Sequence, residues 1–402
     1  MRHVIVVGAG QAGASCVAKL RGSGFDGRIT LIGAEPVIPY QRPPLSKAYL
    51  LGDMALERLF LRPESYYAEH NIELRIGATV RELDPQARRI KLDDGELTYD
   101  DLVLTTGSIP RRLPARIGGA LAGVHVVRGL ADVDAMAPNF VPGAKVLIVG
   151  GGYIGLEAAA VARKLGLEVT LVEMADRILQ RIAAPQTSDY FRDLHRRHGV
   201  TIREGVGLEH LLGETAVTGA RLSDGSEIAT DFVIVGVGIE PNVALAEAAG
   251  ITIDNGIAVD AQGRTSAEHI WAAGDCASFP YHGARIRLES VPNAIDQAEC
   301  VAENIMGVGK DYIAKPWFWS DQYDVKLQIA GLNTGYDRVI TRRSAAESAA
   351  FWYYRGDRLL AVDAMNDPRG FMIGKRMIEG GKSPDPALIE NPETDLKAML
   401  KA

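Results

Sequence analysis

At 402 residues, with 47% hydrophobic and 24% charged side chains, the chain is long enough for two or three domains with cores of their own. A net charge of -7 argues against nucleic acid as the main partner, and no apolar run approaches the roughly 20 residues that a membrane-spanning helix needs. Cys16, Cys276 and Cys300 are scattered and form no Cys-x-x-Cys pair, which fits a reducing compartment, so a cytoplasmic location is expected.

Met1-Arg2-His3 and the apolar run behind it imitate a signal peptide. The next residues account for them differently, because a buried strand must be apolar and the turn after it small. The run Val4-Ile5-Val6-Val7 enters Gly8-Ala9-Gly10-Gln11-Ala12-Gly13. In such a turn the first glycine makes the bend and the second lets backbone N–H groups approach a pyrophosphate. The third lets the following helix pack on the strand. The helix N-terminus supplies free donors and a positive dipole end. An acid about 20 residues on is expected to hold a ribose diol. Glu35, just past the strand-like Arg28–Gly33, fills that place.

Ile38 to Lys47 reads as a loop made rigid by Pro39, Pro43 and Pro44. Asp93-Asp94-Gly95 reads as a turn. The run from Asp101 to Leu104 leads through Thr106-Gly107 to Pro110 and reads as a strand leaving the first domain. A second motif then repeats the first: Lys145–Val149 enters Gly150-Gly151-Gly152-Tyr153-Ile154-Gly155, and Glu173 closes the next apolar strand. A carboxylate at that place accepts from a ribose hydroxyl and repels a 2′-phosphate, so NADH is expected over NADPH. Arg177 could partly offset this, but Met174, directly after Glu173, is not a base. Phe232–Val235 runs into a second glycine and proline turn at Gly238 and Pro241. Ile270–Ala273 is expected to deliver Asp275 to a helix start, where it could serve as an N-cap. From about Lys315 the chain is rich in aromatic and β-branched residues and reads as a smaller α+β domain.

One glycine motif is a weak signal. Two in one chain point to two dinucleotides bound face to face, a flavin that takes hydride from a nicotinamide. The expected fold is α/β, with two Rossmann-like dinucleotide-binding domains plus a C-terminal α+β domain. A discontinuous FAD-binding domain would cover 1–112 and 241–314, an NADH-binding domain 113–240 and a C-terminal domain 315–402. The NADH site would use Gly150, Gly152, Tyr153, Ile154, Gly155, Glu157, Glu173 and Gly238. No metal site is expected. Lys47 follows a rigid Pro-Pro turn, and Glu157 sits just inside the helix of the second motif. Either alone would pass as a surface charge. As a buried pair they would set the surroundings of a flavin N5 and a nicotinamide amide.

These motifs together resemble the FAD-dependent pyridine-nucleotide reductases of the glutathione-reductase-like fold, in particular their ferredoxin-reductase branch, typified by putidaredoxin reductase and the reductases of aromatic-ring dioxygenases. The resemblance runs through Gly8 to Gly13, Pro43-Pro44-Leu45-Ser46-Lys47, Thr106-Gly107, Gly150 to Glu157, Gly274-Asp275, Glu289 to Ala294 and Pro316 to Gln322. It implies that Lys47 lies beside the flavin and Asp275 on the ribityl chain. It places Ala12, Val80 and Arg128 at the adenosine or diphosphate end, and the main chain near Val291 at the pyrimidine edge. Arg42 and Pro44 would flank the same pocket. Several relatives carry an aspartate where Ala34 stands, so here either Glu35 does the ribose work or that contact is weakened.

The absence of a relay settles the expected acceptor. Tyr40 to Leu51 holds no cysteine, Cys16 lies in the first helix, and Cys276 is unpaired. A flavin without a thiol partner must pass electrons outward, and the resemblance implies a two-iron, two-sulfur ferredoxin that feeds an oxygenase. Such acidic partners call for basic docking residues. Arg285, Arg287, Lys310, Lys315, Arg338, Arg342 and Arg343 are the candidates, with Trp317, Phe318 and Trp319 either core or on the electron route. Rival readings are a rubredoxin or monodehydroascorbate-type reductase, or an apoptosis-inducing-factor-like NADH-sensing flavoprotein. Neither nucleic acid nor membrane is an expected partner, and the oligomeric state stays open.

Overall fold

The computed structural model describes residues 1–345 and 348–400 and divides into two compact units. The first comprises Met1–Gln41, Ala55–Ile109 and Ile239–Pro316, the second Arg42–Met54, Pro110–Gly238 and Trp317–Ala402. The sequence reading put 42–54 with the first motif and the segment from 315 in a domain apart. Here 42–54 and the segment from Trp317 are grouped with 110–238, while Lys315 and Pro316 stay with the first unit.

The first unit is built on a five-stranded sheet in the order Ile270–Ala272, Asp101–Leu104, His3–Val7, Arg28–Gly33, Ile72–Ile76, with every pairing parallel. A parallel sheet is covered on both faces, which is why Val4 to Val7 are all apolar and buried. Val4 and Val6 face one way, packing with Cys16, Val17 and Leu20 of the helix Gln11–Gly22 and with Val301 of the helix Val291–Ile305. Ile5 and Val7 face the other way, toward Leu83, Ile90 and Leu92 of a small antiparallel sheet. Period-two alternation divides the two cores.

The second unit repeats the plan. Its parallel sheet runs Thr201–Glu204, Glu168–Glu173, Lys145–Val149, Phe232–Val235, Val124–Val126. Each glycine-motif strand is thus the third of five. This unit also holds an antiparallel sheet of Trp317–Gln322, Val325–Gly331, Arg358–Met365, Ser348–Arg355 and Arg338–Ala345. The helix Pro368–Glu379 packs on it through Phe371 and Met377 against Trp352 and Val362.

Asp275 does not start a helix. It lies in a turn between the strands Ile270–Ala272 and Ala277–Tyr281, and the next helix begins only at Val291, capped by Ser290. A second short strand, rather than a helix, follows the glycine turn because Phe279-Pro280-Tyr281 pairs with Ala284–Ile286 and Phe279 is buried.

Candidate active site

In the two motifs the same three glycines do the same three things. A Cβ at Gly8, whose φ is +117°, would lie 2.1 Å from the Thr105 carbonyl oxygen; at Gly150, φ +109°, it would lie 2.3 Å from that of Gly236. The first glycine therefore passes beneath the end of the neighbouring strand. A Cβ at Gly13 would meet the Gly8 oxygen at 2.0 Å, and one at Gly155 the Gly150 oxygen at 2.2 Å. The third glycine sets the helix against its own turn. A Cβ at Gly10 or Gly152 would meet nothing within 4 Å. Each of these is the N-cap of its helix, and neither helix has a side-chain cap. The result is open space in front of uncapped N–H groups, the shape and charge that a pyrophosphate needs. The residues present fit a dinucleotide in each unit.

Around the first cradle, Gly274 lies so close to Ala12 that a Cβ there would meet the Ala12 Cβ at 3.0 Å, and the Gly274 N–H donates to Gln297 Oε1 at 2.9 Å. Asp275 Oδ2 accepts from Ser108 Oγ at 3.0 Å. Thr106 Oγ1 donates to the Asn242 carbonyl at 2.6 Å, and the Gly107 carbonyl accepts from Asn242 N–H at 2.9 Å. Glu35, just past its strand, accepts from Tyr40 Oη at 2.5 Å. Val80 opens the strand Val80–Asp84, and Val291 is the first residue of its helix. Arg42, Pro44 and Lys47, which the resemblance placed at the flavin, and Arg128, which it placed at the adenosine or diphosphate end, belong to the second unit. There Arg42 Nη1 donates to the Arg128 carbonyl at 2.8 Å.

At the second cradle, Glu173 is tied to the loop it follows: Oε2 accepts from Gly151 N–H at 2.7 Å and Oε1 from Ala175 N–H at 2.8 Å. Arg177 is held by local acceptors. Its guanidinium donates to Ser188 Oγ and to the carbonyls of Ala183 and Gln180. Met174, beside Glu173, is 80% exposed. Tyr153 packs edge-on against Phe318 at 4.8 Å, and its hydroxyl is buried with no partner among the described residues. Ile154 is exposed, and the Gly238 carbonyl accepts from Arg111 N–H at 3.0 Å.

Lys47 and Glu157 meet. Lys47 sits in the tight turn Leu45–Tyr49, whose helical backbone breaks at that residue. Its Nζ lies 3.0 Å from Glu157 Oε1 and 3.7 Å from Asp321 Oδ2. Glu157 is 8% exposed. Ser320 Oγ donates to Oε1 at 2.7 Å and Ser46 Oγ to Oε2 at 3.1 Å. Burial pushes the Glu157 carboxyl upward, while the Lys47 ammonium and the two serine hydroxyls pull it back. Neither serine was picked out in the sequence. The only signal was alternation: Phe318, Ser320 and Gln322 share one face of their strand.

Several expected docking cations are occupied. Arg342 is 7% exposed and donates to the carbonyls of Ile389, Asn391, Pro392 and Thr394. It anchors the C-terminal segment and cannot face a partner. Arg287 is bound to the Asn255 and Asp275 carbonyls and to Glu289. Arg285 donates to the Val259 and Ser278 carbonyls and faces Asp254 at 3.6 Å. Lys310 pairs with Glu303, and Arg338 with Asp357. Lys315 and Arg343 are exposed. Trp317 packs on Phe371 and beside Trp319.

Residues 2–298 match the family model of the pyridine nucleotide-disulphide oxidoreductases. The chain belongs to that family. Residues 317–400 match a reductase C-terminal domain model. A ferredoxin–NAD(P)+ reductase of Sphingomonas is 45% identical over 99% of this chain and 96% of its own length. Putidaredoxin reductase of Pseudomonas putida is 41% identical over 100% and 97%. The solved covalent complex of putidaredoxin reductase with putidaredoxin superimposes with a TM-score of 0.96 at 40% identity, covering 100% of this chain and 98% of that one. Members of a family named for disulphides need not use one. Here all three cysteines are free and buried. Burial pushes the Cys16 thiol up to about 12 and raises those of Cys276 and Cys300. Among the described residues no cluster of three or more His, Cys, Asp or Glu could hold a metal ion, and no helix is long and apolar enough to cross a membrane.

Proposed function

We infer that this family member is an NADH-dependent flavoprotein reductase that passes electrons from NADH through FAD to a two-iron, two-sulfur ferredoxin feeding an oxygenase. The observation that carries this reading is the pair of like-built cradles, one per unit, in a chain whose cysteines are all buried. The relatives named as ferredoxin and putidaredoxin reductases support the same acceptor. When bound, FAD supplies the conversion from a two-electron to a one-electron donor. Per turnover one hydride enters, two electrons leave singly, and one proton goes to solvent.

The chain's own residues bind and orient. Gly8, Gly10 and Gly13 with Ala12 receive the FAD pyrophosphate, Glu35 its ribose and Asp275 its ribityl chain. Val80, Thr106, Gly107, Gly274 and Val291 complete that site. Gly150, Gly152 and Gly155 receive NADH, with Tyr153, Ile154 and Gly238 beside it. Glu173 accepts from the adenosine ribose through lone pairs that the Gly151 and Ala175 N–H groups leave free. The Arg177 guanidinium keeps its charge but is held by Ser188 and the Ala183 carbonyl, so it is not free to form a bidentate contact with a 2′-phosphate. Lys47 holds Glu157 ionised at the nicotinamide end, where the carboxylate orients the carboxamide. Buried, unpaired thiols suit a reducing, cytoplasmic setting.

The test is NADH-driven cytochrome c reduction with and without an acidic two-iron, two-sulfur ferredoxin. The ferredoxin should raise the rate manyfold, and that gain should fade as salt rises, since exposed charges are screened beyond about 10 Å at 0.1 M ionic strength. Ferricyanide reduction should barely change. Equal rates with and without every ferredoxin tried would refute the acceptor.

A further inference from the structure

The Glu157 carboxylate is the end of a longer hydrogen-bonded run. Ser320 Oγ lies 2.7 Å from Glu157 Oε1, and Gln322 Nε2 lies 3.1 Å from Ser320 Oγ. Gln322 Oε1 lies 2.8 Å from His195 Nε2, and Tyr323 Oη 3.2 Å from His195 Nδ1. Ser320, Gln322 and His195 are each fully buried. Chemistry at the two ends fixes every donor. An ionised carboxylate only accepts, so the Ser320 hydroxyl gives it its one proton. That hydroxyl must then accept, and the Gln322 amide turns its NH2 toward it. The Gln322 oxygen is left facing His195, so the imidazole carries its proton on Nε2 and accepts on Nδ1 from the Tyr323 hydroxyl. All four bonds point one way, toward Glu157.

We propose that Ser320, Gln322 and His195 are positioning residues whose one-way chain holds Glu157 ionised and in a single rotamer for the nicotinamide. This rests on the reading of Glu157 given above. A buried carboxylate needs such help, because its charge has lost water. Lys47 is the cation at Glu157, and Asp321, on the Ser320 strand, competes for it at 3.7 Å. Around His195 the chargeable neighbours are His198, one turn on and stacked on Tyr323 at 3.7 Å, and Tyr323 itself, on which Arg163 acts. Burial holds the His195 imidazole down at about 4, so the neutral ring that the chain requires persists through the physiological range.

The test is infrared difference spectroscopy of the FAD-loaded protein across a pH titration. The protonated carbonyl band is assigned to Glu157 by its loss in Glu157→Gln. In Ser320→Ala the midpoint should rise by about one pH unit, tenfold in proton affinity, as expected when a carboxylate loses a charge-assisted donor. Ser320→Thr should restore it. Gln322→Leu, which cuts the run one bond earlier and keeps the serine, should move it in the same direction by less. The pH profile of flavin reduction by NADH should shift with the band. An unmoved Glu157 midpoint in both Ser320→Ala and Gln322→Leu overturns the proposal. Failure of the underlying reading looks different: Glu157→Gln would then reduce its flavin at the wild-type rate, whatever the infrared midpoints do.

Discussion

Glu173 Oε2 accepts from the Gly151 main-chain N–H at 2.7 Å, so the acid of the second motif braces the loop that it completes. Glu173→Ala should therefore lose two things together, the ribose acceptor and the loop brace. NADH affinity should fall by about 1–3 kcal/mol, roughly 5- to 150-fold in Kd. The NADPH affinity should change less, which narrows the preference. Glu173→Gln keeps an acceptor and should fall between. Titration of both nucleotides into each variant checks this, and a wild type that prefers NADPH would overturn the role.

Gly8 and Gly10 should respond oppositely to a side chain. Gly8 has a positive φ, and a Cβ there would meet the Thr105 oxygen at 2.1 Å, so Gly8→Ala should cost more than about 2 kcal/mol of stability. Gly10 has ordinary extended dihedrals and open space. Gly10→Val should keep its Tm but fill the cradle, with FAD affinity falling tenfold or more, about 1.4 kcal/mol. The wild type should be yellow as isolated and bleach with anaerobic NADH. Gly10→Val with full FAD content would show that the pyrophosphate lies elsewhere.

No thiol should take part in turnover. Cys16, Cys276 and Cys300 are buried, and burial raises all three thiols, leaving little thiolate at neutral pH. The native protein should react slowly with a disulfide reagent, and a variant with all three replaced by alanine should keep its NADH-to-ferredoxin rate. Stoichiometric inactivation by modifying one cysteine, with FAD retained, would reveal a relay.

Two buried groups should offset one another in acid. Burial lowers His195 from 6.5 to about 4 and raises Asp363 from 3.8 to about 6. Between about 4 and 6.5 the unfolded chain protonates His195 while the fold does not, so that contribution to stability falls as pH falls. Between about 3.8 and 6 the fold protonates Asp363 while the unfolded chain does not, so its contribution falls as pH rises. The slopes oppose, each at most about 1.4 kcal/mol per pH unit. Asp363→Asn should unmask the histidine: its stability relative to wild type should decline as pH drops from 6 to 4. Urea unfolding at half-unit pH steps reads this, and parallel curves for both proteins would rule it out.

How much of this was legible beforehand follows from what kind of contact each residue makes. The glycine turns are local, so the bend at Gly8 and Gly150 and the close helix contact at Gly13 and Gly155 could be read beforehand. The Lys47–Glu157 pair was legible because a Pro-Pro turn aims one partner and a motif helix the other. Ser46 and Ser320 reach Glu157 across 111 and 163 positions, and nothing in a serine marks it for that. Asp275 was misread because a strand and a helix can both follow a glycine-aspartate turn. Only the pairing of Phe279 with Ile286 decides between them. Arg342 was misread because an arginine in an aromatic, β-branched stretch looks like surface, and four carbonyl acceptors from a later segment are invisible in its neighbours.

Arg342 and Arg343 are adjacent and should behave as opposites. Arg342 is buried and satisfies four carbonyls, so Arg342→Ala should cost about 3 kcal/mol, as buried acceptors lose their donor. Its effect on ferredoxin transfer should follow the loss of folded protein and vanish when rates are scaled to bound FAD. Arg343 is exposed, so Arg343→Glu should leave the unfolding free energy within about 0.5 kcal/mol of wild type. If that face meets the acidic partner, Arg343→Glu should lower the ferredoxin rate at low salt, converge with wild type at high salt and leave flavin reduction by NADH untouched. Lys315→Glu, in the other unit, applies the same measurement to a second exposed cation. Ferredoxin rates that ignore both reversals at every salt concentration would remove these cations from the docking surface, and a salt-independent wild type would remove electrostatic docking altogether.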